Sequence, residues 1–492
     1  MQIETGFIDK IVMLSFISAE FFILIQGFGY IENCLRSIKT YKRNQDSQIL
    51  TDAPFVEIWI PAFEEAPEVL EKTIIAAKKV DYPNYTISVL DDSEDQNFIE
   101  STKKLCAKMG INYIQEPFPR HGAKAGNLNE AIKNTKAKYL AIFDADYRPG
   151  RNFLKVLIPQ MENDSKLVYI QTPQFYANSE LSKVSKAAQA VQSVFFEYIC
   201  EGKSVANAIF MCGTNFVLRS DYVKKSGGFC EDFLTEDFAT SIKLSEENFA
   251  NRYHNEILAY GDGPSSIEEY FKQQYRWAKG TSEVFLKNLL TLISPKSNLK
   301  FKQRMEFFLS GNYYFMGLAW LVILIVPPLF LLFEIPAYFA SPTFYFSAYI
   351  PYFAFSLIFY LNTLRTRLYP KSHVLLSQSL TLLTLPIYLK ALFDALLKRK
   401  SKFTVTFKNE NQAQMNRIPW QRMSLQLFLI SLNLFALWVG FLKLWYAPNT
   451  IAIIINMFWS GFHAMLMLYL PLIIIFGKNN EQDTKNQRIV ID

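Results

Sequence analysis

The sequence predicts an α/β domain with a mostly parallel sheet, inserted in a helical membrane domain of about five spans. Three observations carry this. Half of the 492 residues are hydrophobic and 15% are aromatic, enough for a full globular domain plus a membrane region. Five apolar runs, at 11–30, 307–333, 344–361, 425–445 and 451–476, approach the roughly 20 residues that a helix needs to cross a bilayer. Between the first two, short β-rich runs alternate with helical stretches, the pattern of a layered α/β domain.

In chain order, the first apolar run lacks a basic leader and a small-residue cleavage site, so 1–35 reads as a retained membrane anchor. Within 50–290, "FVEIWIP", "YTISVLDD", "KYLAIFDAD" and "KLVYIQTP" read as buried parallel strands, and "APEVLEKTIIAAKKV" and "AGNLNEAIKNTK" as helices between them. A ligand is then expected at the carboxyl ends of the strands. The basic stretches "KSNLKFKQR", "RTRLYPK" and "KRKSKFTVTFK" alternate with loops that hold no Lys or Arg, "EIPAYFASPT" and "YAPNT". The large domain and the polar tail 477–492 are therefore expected in the cytosol, on the plasma membrane's inner side. A sixth run, 374–397, contains Pro386, Lys390, Asp394 and several Ser and Thr. It is expected to lie on the cytosolic face as an amphipathic helix.

Composition excludes other classes. The net charge of +6 is dispersed, so no nucleic-acid partner is implied. The five cysteines (Cys34, Cys106, Cys200, Cys212, Cys230) lack metal-ligand spacing and read as reduced thiols. No GxGxxG or Walker A loop is present.

The strand ends are acidic. "VLDDS" places Asp91 and Asp92 at one, and "IFDADYRP" places Asp144 and Asp146 at another. Carboxylates at alternate positions of a fraying strand can face one Mg²⁺ or Mn²⁺ ion, which retains open positions for substrate phosphates. They could equally be loop caps, since a DxD tripeptide arises about once by chance in a chain of this size. "FLTEDFATSIKL" puts Thr235, Glu236 and Asp237 before a helix, where an N-cap with acids in the first turn would suffice. "FKQQYRWAKG" is more specific: Gln273-x-x-Arg276-Trp277 is expected by chance in about one or two chains per hundred.

Taken together and in this order, these motifs resemble the cellulose synthase group of processive family 2 glycosyltransferases. "HGAKAGNLNEA", "VYIQTPQFY", "FMCGTNFVLR" and "FTVTFK" resemble further motifs of that group, and the resemblance covers about 50–476. It implies a GT-A-like cytosolic domain and a channel domain at 291–476, with an interfacial helix at 372–398 and a gating loop at 401–410. It assigns the metal to Asp144 and Asp146, and the donor nucleotide to Asp91 or Asp92, Phe63, Lys124, Asp144 and Arg276, with Thr406 and Lys408 of the gating loop. Trp277, Gln273, Cys212 and Gly213 would hold the acceptor. Asp237 would be the general base, beside Glu236 and Thr235.

The resemblance implies a β-glucan made from UDP-glucose and passed across the bilayer, a capsule or exopolysaccharide synthase of the Gram-positive kind, and it leaves room for a homodimer. Hyaluronan- or chitin-type synthases and non-processive lipid-carrier transferases are the alternatives. Three departures stand out. Tyr147 replaces the usual His after DAD, which leaves a third metal ligand unassigned. Ala62-Phe63-Glu64-Glu65 replaces the usual Thr-Tyr-Asn-Glu, and Ser93 the glycine of DDG.

Overall fold

The computed structural model describes residues 6–40, 52–116, 121–337, 341–366, 373–399, 417–448 and 450–476. The strands are β1 (Val56–Ala62), β2 (Tyr85–Asp91), β3 (Asn112–Gln115), β4 (Tyr139–Ile142), β5 (Tyr147–Pro149), β6 (Leu167–Gln171), β7 (Phe216–Arg219), β8 (Ala250–Tyr253) and β9 (Ala259–Gly261). The helices are α1 (Phe7–Thr40), α2 (Pro67–Ala77), α3 (Gln96–Met109), α4 (Ala123–Asn134), α5 (Phe153–Asn163), α6 (Lys183–Val194), α7 (Cys200–Val205), α8 (Ser220–Lys225), α9 (Glu236–Glu246), α10 (Ile267–Ile293), α11 (Phe301–Gly311), α12 (Met316–Phe333), α13 (Pro342–Thr366), α14 (His373–Leu396), α15 (Ser424–Lys443) and α16 (Thr450–Phe476).

Strand periodicity builds the sheet. Ile58 and Ile60 of β1 join one apolar core with Leu70 and Ile74 of α2, while Trp59 joins the opposite core with Leu128 of α4. In β4, Tyr139 and Ala141 take the first face, and Leu140 and Ile142 the second. Both faces are covered, as the near-continuous apolar runs require. The strand order is β3-β2-β1-β4-β7-β6-β8. The pairs β1/β2, β1/β4, β2/β3 and β6/β8 are parallel, and β7 runs against both β4 and β6. The four strands and two helices expected from sequence are present. Because β7 is reversed, the segment entering it, and not the one leaving it, lies at the edge where β4 ends: Phe216 pairs with Ile142.

Among the described residues, six helical segments are long and apolar enough to cross a membrane: Phe7–Lys39, Tyr313–Phe333, Thr343–Thr363, Val374–Leu396, Ser424–Lys443 and Thr450–Phe476. Five correspond to the expected spans. The sixth, in α14, is the run expected from sequence as an amphipathic helix on the cytosolic face, and polar residues of that run are not on an exposed face. Its Ser377, Ser379, Thr384 and Asp394 are buried, because α6, α10, α12 and α16 pack around it. Ser379, for example, accepts a hydrogen bond from the Leu470 N–H at 3.0 Å.

Two joints attach the α/β domain to the helices. One is an apolar cluster uniting Tyr176, Ile267 and Tyr270 with Leu324, Leu380, Leu383 and Leu470. The other is charged. Glu306 of α11 is 2% exposed and accepts hydrogen bonds from Lys203 of α7 at 2.9 Å and from Asn33 of α1 at 3.0 Å, with Arg36 of α1 on its other oxygen. Burial raises the Glu306 pKa, but Lys203, Asn33 and Arg36 outweigh it and hold the carboxyl below its ordinary value. This stabilisation is present at neutral pH and is lost as pH falls through that lowered value.

Glu306→Ala should therefore lower stability by about 3–5 kcal/mol, because it strands the Lys203 ammonium in the interior. Adding Lys203→Met should recover much of the loss. Thermal unfolding of the single and double variants in detergent checks both, and an unshifted single variant would show that the joint is not a stability determinant.

Candidate active site

The carboxyl ends of β1, β2 and β4 open into one cavity of ≈ 1150 Å³. Phe143 follows β4, fully buried, with its ring edge-on to Phe153 at 4.7 Å. This fixes the strand just before the acids. Asp144 then leaves the sheet, and its N–H donates to Thr214 Oγ1 at 2.9 Å. Ala145 turns inward at 3% exposure, so Asp144 and Asp146 both line the cavity.

The opposite wall is one face of α10. Glu269, Gln273, Arg276, Trp277, Glu283 and Lys287 reach the cavity at helical spacing. Gly280 makes the approach possible. A Cβ there would meet Thr235 backbone N at 2.9 Å and Thr235 Cγ2 at 2.8 Å, so α10 lies directly on the loop that begins α9. That loop ends at Thr235, whose side chain makes no capping bond, and it delivers Glu236 and Asp237 to the cavity floor.

The floor is crowded with carboxylates. Burial, then the neighbouring Glu236, push the Asp237 pKa up to about 8, despite a 2.7 Å hydrogen bond from the Phe238 N–H. Burial also raises Glu236. One cation sits among these acids. Lys124, at the start of α4, is hydrogen-bonded to Asp144 and donates to the Gly213 carbonyl at 2.6 Å. Burial works against its charge, but Asp144, Glu236 and Asp237 more than compensate and raise its pKa. Gly213 adopts φ +83°, in the left-handed region that favours glycine, and its α-carbon lies beside Asp237.

This arrangement can hold an anion against a base. Residues 57–227 match the family described as Glycosyl transferase family 2. The chain carries a family 2 glycosyltransferase domain. It resembles cellulose synthase catalytic subunits, with 32% identity to that of Pseudomonas fluorescens over 68% of this chain and 45% of the relative. Identity to the Komagataeibacter xylinus subunit is 28%, over 68% of this chain and 44% of the relative. The chain thus spans about half the length of these relatives. Among solved structures, a Pyrobaculum calidifontis mannosyltransferase in complex with GDP-Man and Mn²⁺ matches with TM-score 0.53 and 13% identity, covering 78% of this chain and 99% of the other. That likeness is one of fold.

The glycosyltransferase cavity gathers Phe63, Asp92, Lys124, Asp144, Asp146, Cys212, Gly213, Thr235, Glu236, Asp237, Gln273, Arg276 and Trp277, nearly all the residues expected from sequence. Asp91 is a correction. It is fully buried, its carboxylate accepting from Tyr113 Oη at 3.0 Å and from the Ser93 N–H at 3.0 Å. Adjacent strand residues face opposite sides, so only Asp92 reaches the cavity. Thr406 and Lys408 lie outside the described residues. Tyr147 is buried at the cavity wall with its ring over Gly261.

Among the described residues, no group of three or more His, Cys, Asp or Glu is placed to hold an ion. Asp144 and Asp146 fit an Mg²⁺ or Mn²⁺ ion that takes its remaining ligands from water and donor phosphates. Two departures from the family pattern meet. The Glu64 N–H donates to Ser93 Oγ at 2.8 Å, and Glu64 adopts φ 51°, a conformation that Asn tolerates better than Glu.

Sequence reading missed the far rim. Lys398 and Arg399, just after α14, line the cavity. They are held there because Lys279 donates to the Arg399 carbonyl at 2.5 Å, while Tyr275 donates to Asp394 at 2.7 Å and Arg399 pairs with Asp394 at 3.1 Å. Lys279 lay in the quoted "FKQQYRWAKG", but its partner is 120 residues away.

Asp146→Asn should leave folding intact, since the side chain is only partly buried and the replacement is nearly isosteric. A lost metal ligand forfeits several kcal/mol of charge stabilisation, so turnover should fall about 10²-fold or more. UDP release and thermal unfolding, measured side by side, check this. A general base acts only when deprotonated, so the rate should climb about tenfold per pH unit below the Asp237 pKa. The midpoint should lie at or below about 8, because bound cations pull it down. A rate with no fall on the acid side at any pH where the protein stays folded would remove Asp237 from that role.

Proposed function

We propose that this chain is a processive inverting glycosyltransferase that polymerises a β-glucan from UDP-glucose and passes it across the plasma membrane, as a capsule or exopolysaccharide synthase. The observation that carries this reading is the face of α10. Trp277 and Gln273 meet Asp237, Asp144 and Asp146 in one cavity, on a helix whose other faces pack on α14 and α6.

The nucleotide lies at the β1 and β2 ends, with Phe63 stacked on its base and Asp92 on the nucleoside. Mg²⁺ or Mn²⁺ at Asp144 and Asp146 offsets charge on the departing diphosphate. Arg276 and Lys124 supply further donors to the phosphate oxygens. The Trp277 indole offers a flat apolar face to the terminal acceptor ring. Gln273, whose Oε1 has no hydrogen-bond partner among the described residues, accepts from an acceptor hydroxyl, and Cys212 and Gly213 bound the same end. Asp237 takes the proton from the attacking hydroxyl as the new bond forms on the face opposite the diphosphate. Glu236 and Thr235 fix the loop that presents it.

In this reading α14 is the interfacial helix and stays on the cytosolic side with the catalytic domain and the C-terminus. Its burial against α10 and α6 supports that placement.

Purified protein in nanodiscs, given UDP-glucose and Mg²⁺, should release UDP and build a long polymer degraded by a β-glucanase. Linkage analysis then identifies the bond. Single-sugar products would favour a non-processive lipid-carrier transferase. Activity restricted to UDP-N-acetylglucosamine, with or without UDP-glucuronate, would replace the glucan reading with a chitin or hyaluronan type.

A further inference from the structure

Lys124 occupies an unusual position for a phosphate-binding residue. Its ammonium is folded onto Asp144, one of the two expected metal ligands, and donates to the Gly213 carbonyl at 2.6 Å. Glu236 and Asp237 add their charges to the same point. Gly213 is held in the left-handed region, and a Cβ there would meet Asp237 Oδ2 at 3.4 Å. The carbonyl that accepts from Lys124 therefore belongs to the turn that borders the base.

We propose that Lys124 stands in for the divalent cation on Asp144, so that the cation site opens only when a nucleotide diphosphate draws the ammonium away. The inference rests on the assignment of Asp144 and Asp146 to the metal. The physical argument is one of competition. An ammonium and a divalent ion on one carboxylate repel each other, and in a partly desolvated cavity that repulsion is large enough for each to weaken the binding of the other. Removing the ammonium without a replacement would take from Asp144 its hydrogen-bonded cation and leave Arg276 to offset the acids of the cavity, which is costly in a crowded site. A diphosphate solves both problems: it offers Lys124 a new anionic partner and brings further oxygen ligands for the ion. The expected result is ordered binding, nucleotide first or together with the cation.

The test uses the full chain in detergent and Mn²⁺ as the probe, with free Mn²⁺ read by electron paramagnetic resonance in the absence and presence of UDP. No sugar is involved. Wild type should bind Mn²⁺ weakly alone and at least tenfold more tightly with UDP. Lys124→Met should tighten nucleotide-free Mn²⁺ binding at least tenfold and remove most of the effect of UDP. Lys124→Gln, which retains a donor for the Gly213 carbonyl, should behave likewise and serves if the Met variant does not fold. Adding Asp144→Asn should abolish the gain.

Tight Mn²⁺ binding by wild type without UDP would overturn the proposal. So would a Lys124 variant with wild-type affinity, or a gain that survives Asp144→Asn. Lys287→Met removes the same charge from the cavity rim, and an equal gain there would show bulk electrostatics and overturn it too. A protein that passes these tests yet makes no polymer from UDP-glucose would retain the ordered site and lose the function proposed above.

Discussion

The arrangement depends on one helix serving two surfaces. α10 must bring Gln273, Arg276 and Trp277 to the acids at the strand ends and also seat against α14 and α11. A helix can do this only if its backbone comes close enough to the α9 loop for both sets of side chains to reach. Gly280 supplies that closeness, since any Cβ there would collide with Thr235. The apolar cluster from Ile267 and Tyr270 to Leu380 and Leu470 then sets the angle between catalytic domain and helices. Glu306 pins the other side through α1 and α7.

The second constraint is charge. The cavity gathers Asp144, Asp146, Glu236 and Asp237, and carboxylates brought together in this way repel one another. The structure tolerates this by raising Asp237 and Glu236 toward protonation and by inserting Lys124. In the function proposed above, a cation arriving beside Asp237 would lower the pKa that its neighbours raise, so that binding and activation of the base would be a single electrostatic event.

Much of this was legible in the sequence, for identifiable reasons. The buried strands announced themselves because a sheet covered on both faces needs continuous apolar runs, and Trp59 between Ile58 and Ile60 shows why alternation was invisible there. Asp144 and Asp146 were readable because residues two apart share a face. By the same rule Asp91 and Asp92 face opposite sides of the strand, and only Asp92 lines the cavity. The direction of β7 was not legible, since four residues, "FVLR", carry no information about strand sense. Nor was the burial of α14. Ser379, Thr384 and Asp394 look like a polar face until the partners that satisfy them, on α16 and α10, are known. Arg399 was hidden for a related reason, because its anchor, Lys279, is remote in sequence.

The buried contact among Glu306, Lys203, Asn33 and Arg36 has a mechanical side. In the synthase proposed above, a catalytic domain that lengthens a polymer while feeding it through its own helices would push on the strand at each addition, and by reaction would itself be pushed away from the membrane. An attachment through a flexible linker would let the domain recoil, and part of every step would be spent in that motion. An ion pair closed off from water, on a short helix wedged between α1 and the domain, yields little under such a load. The joint that looks like a stability device is also placed to act as a thrust bearing.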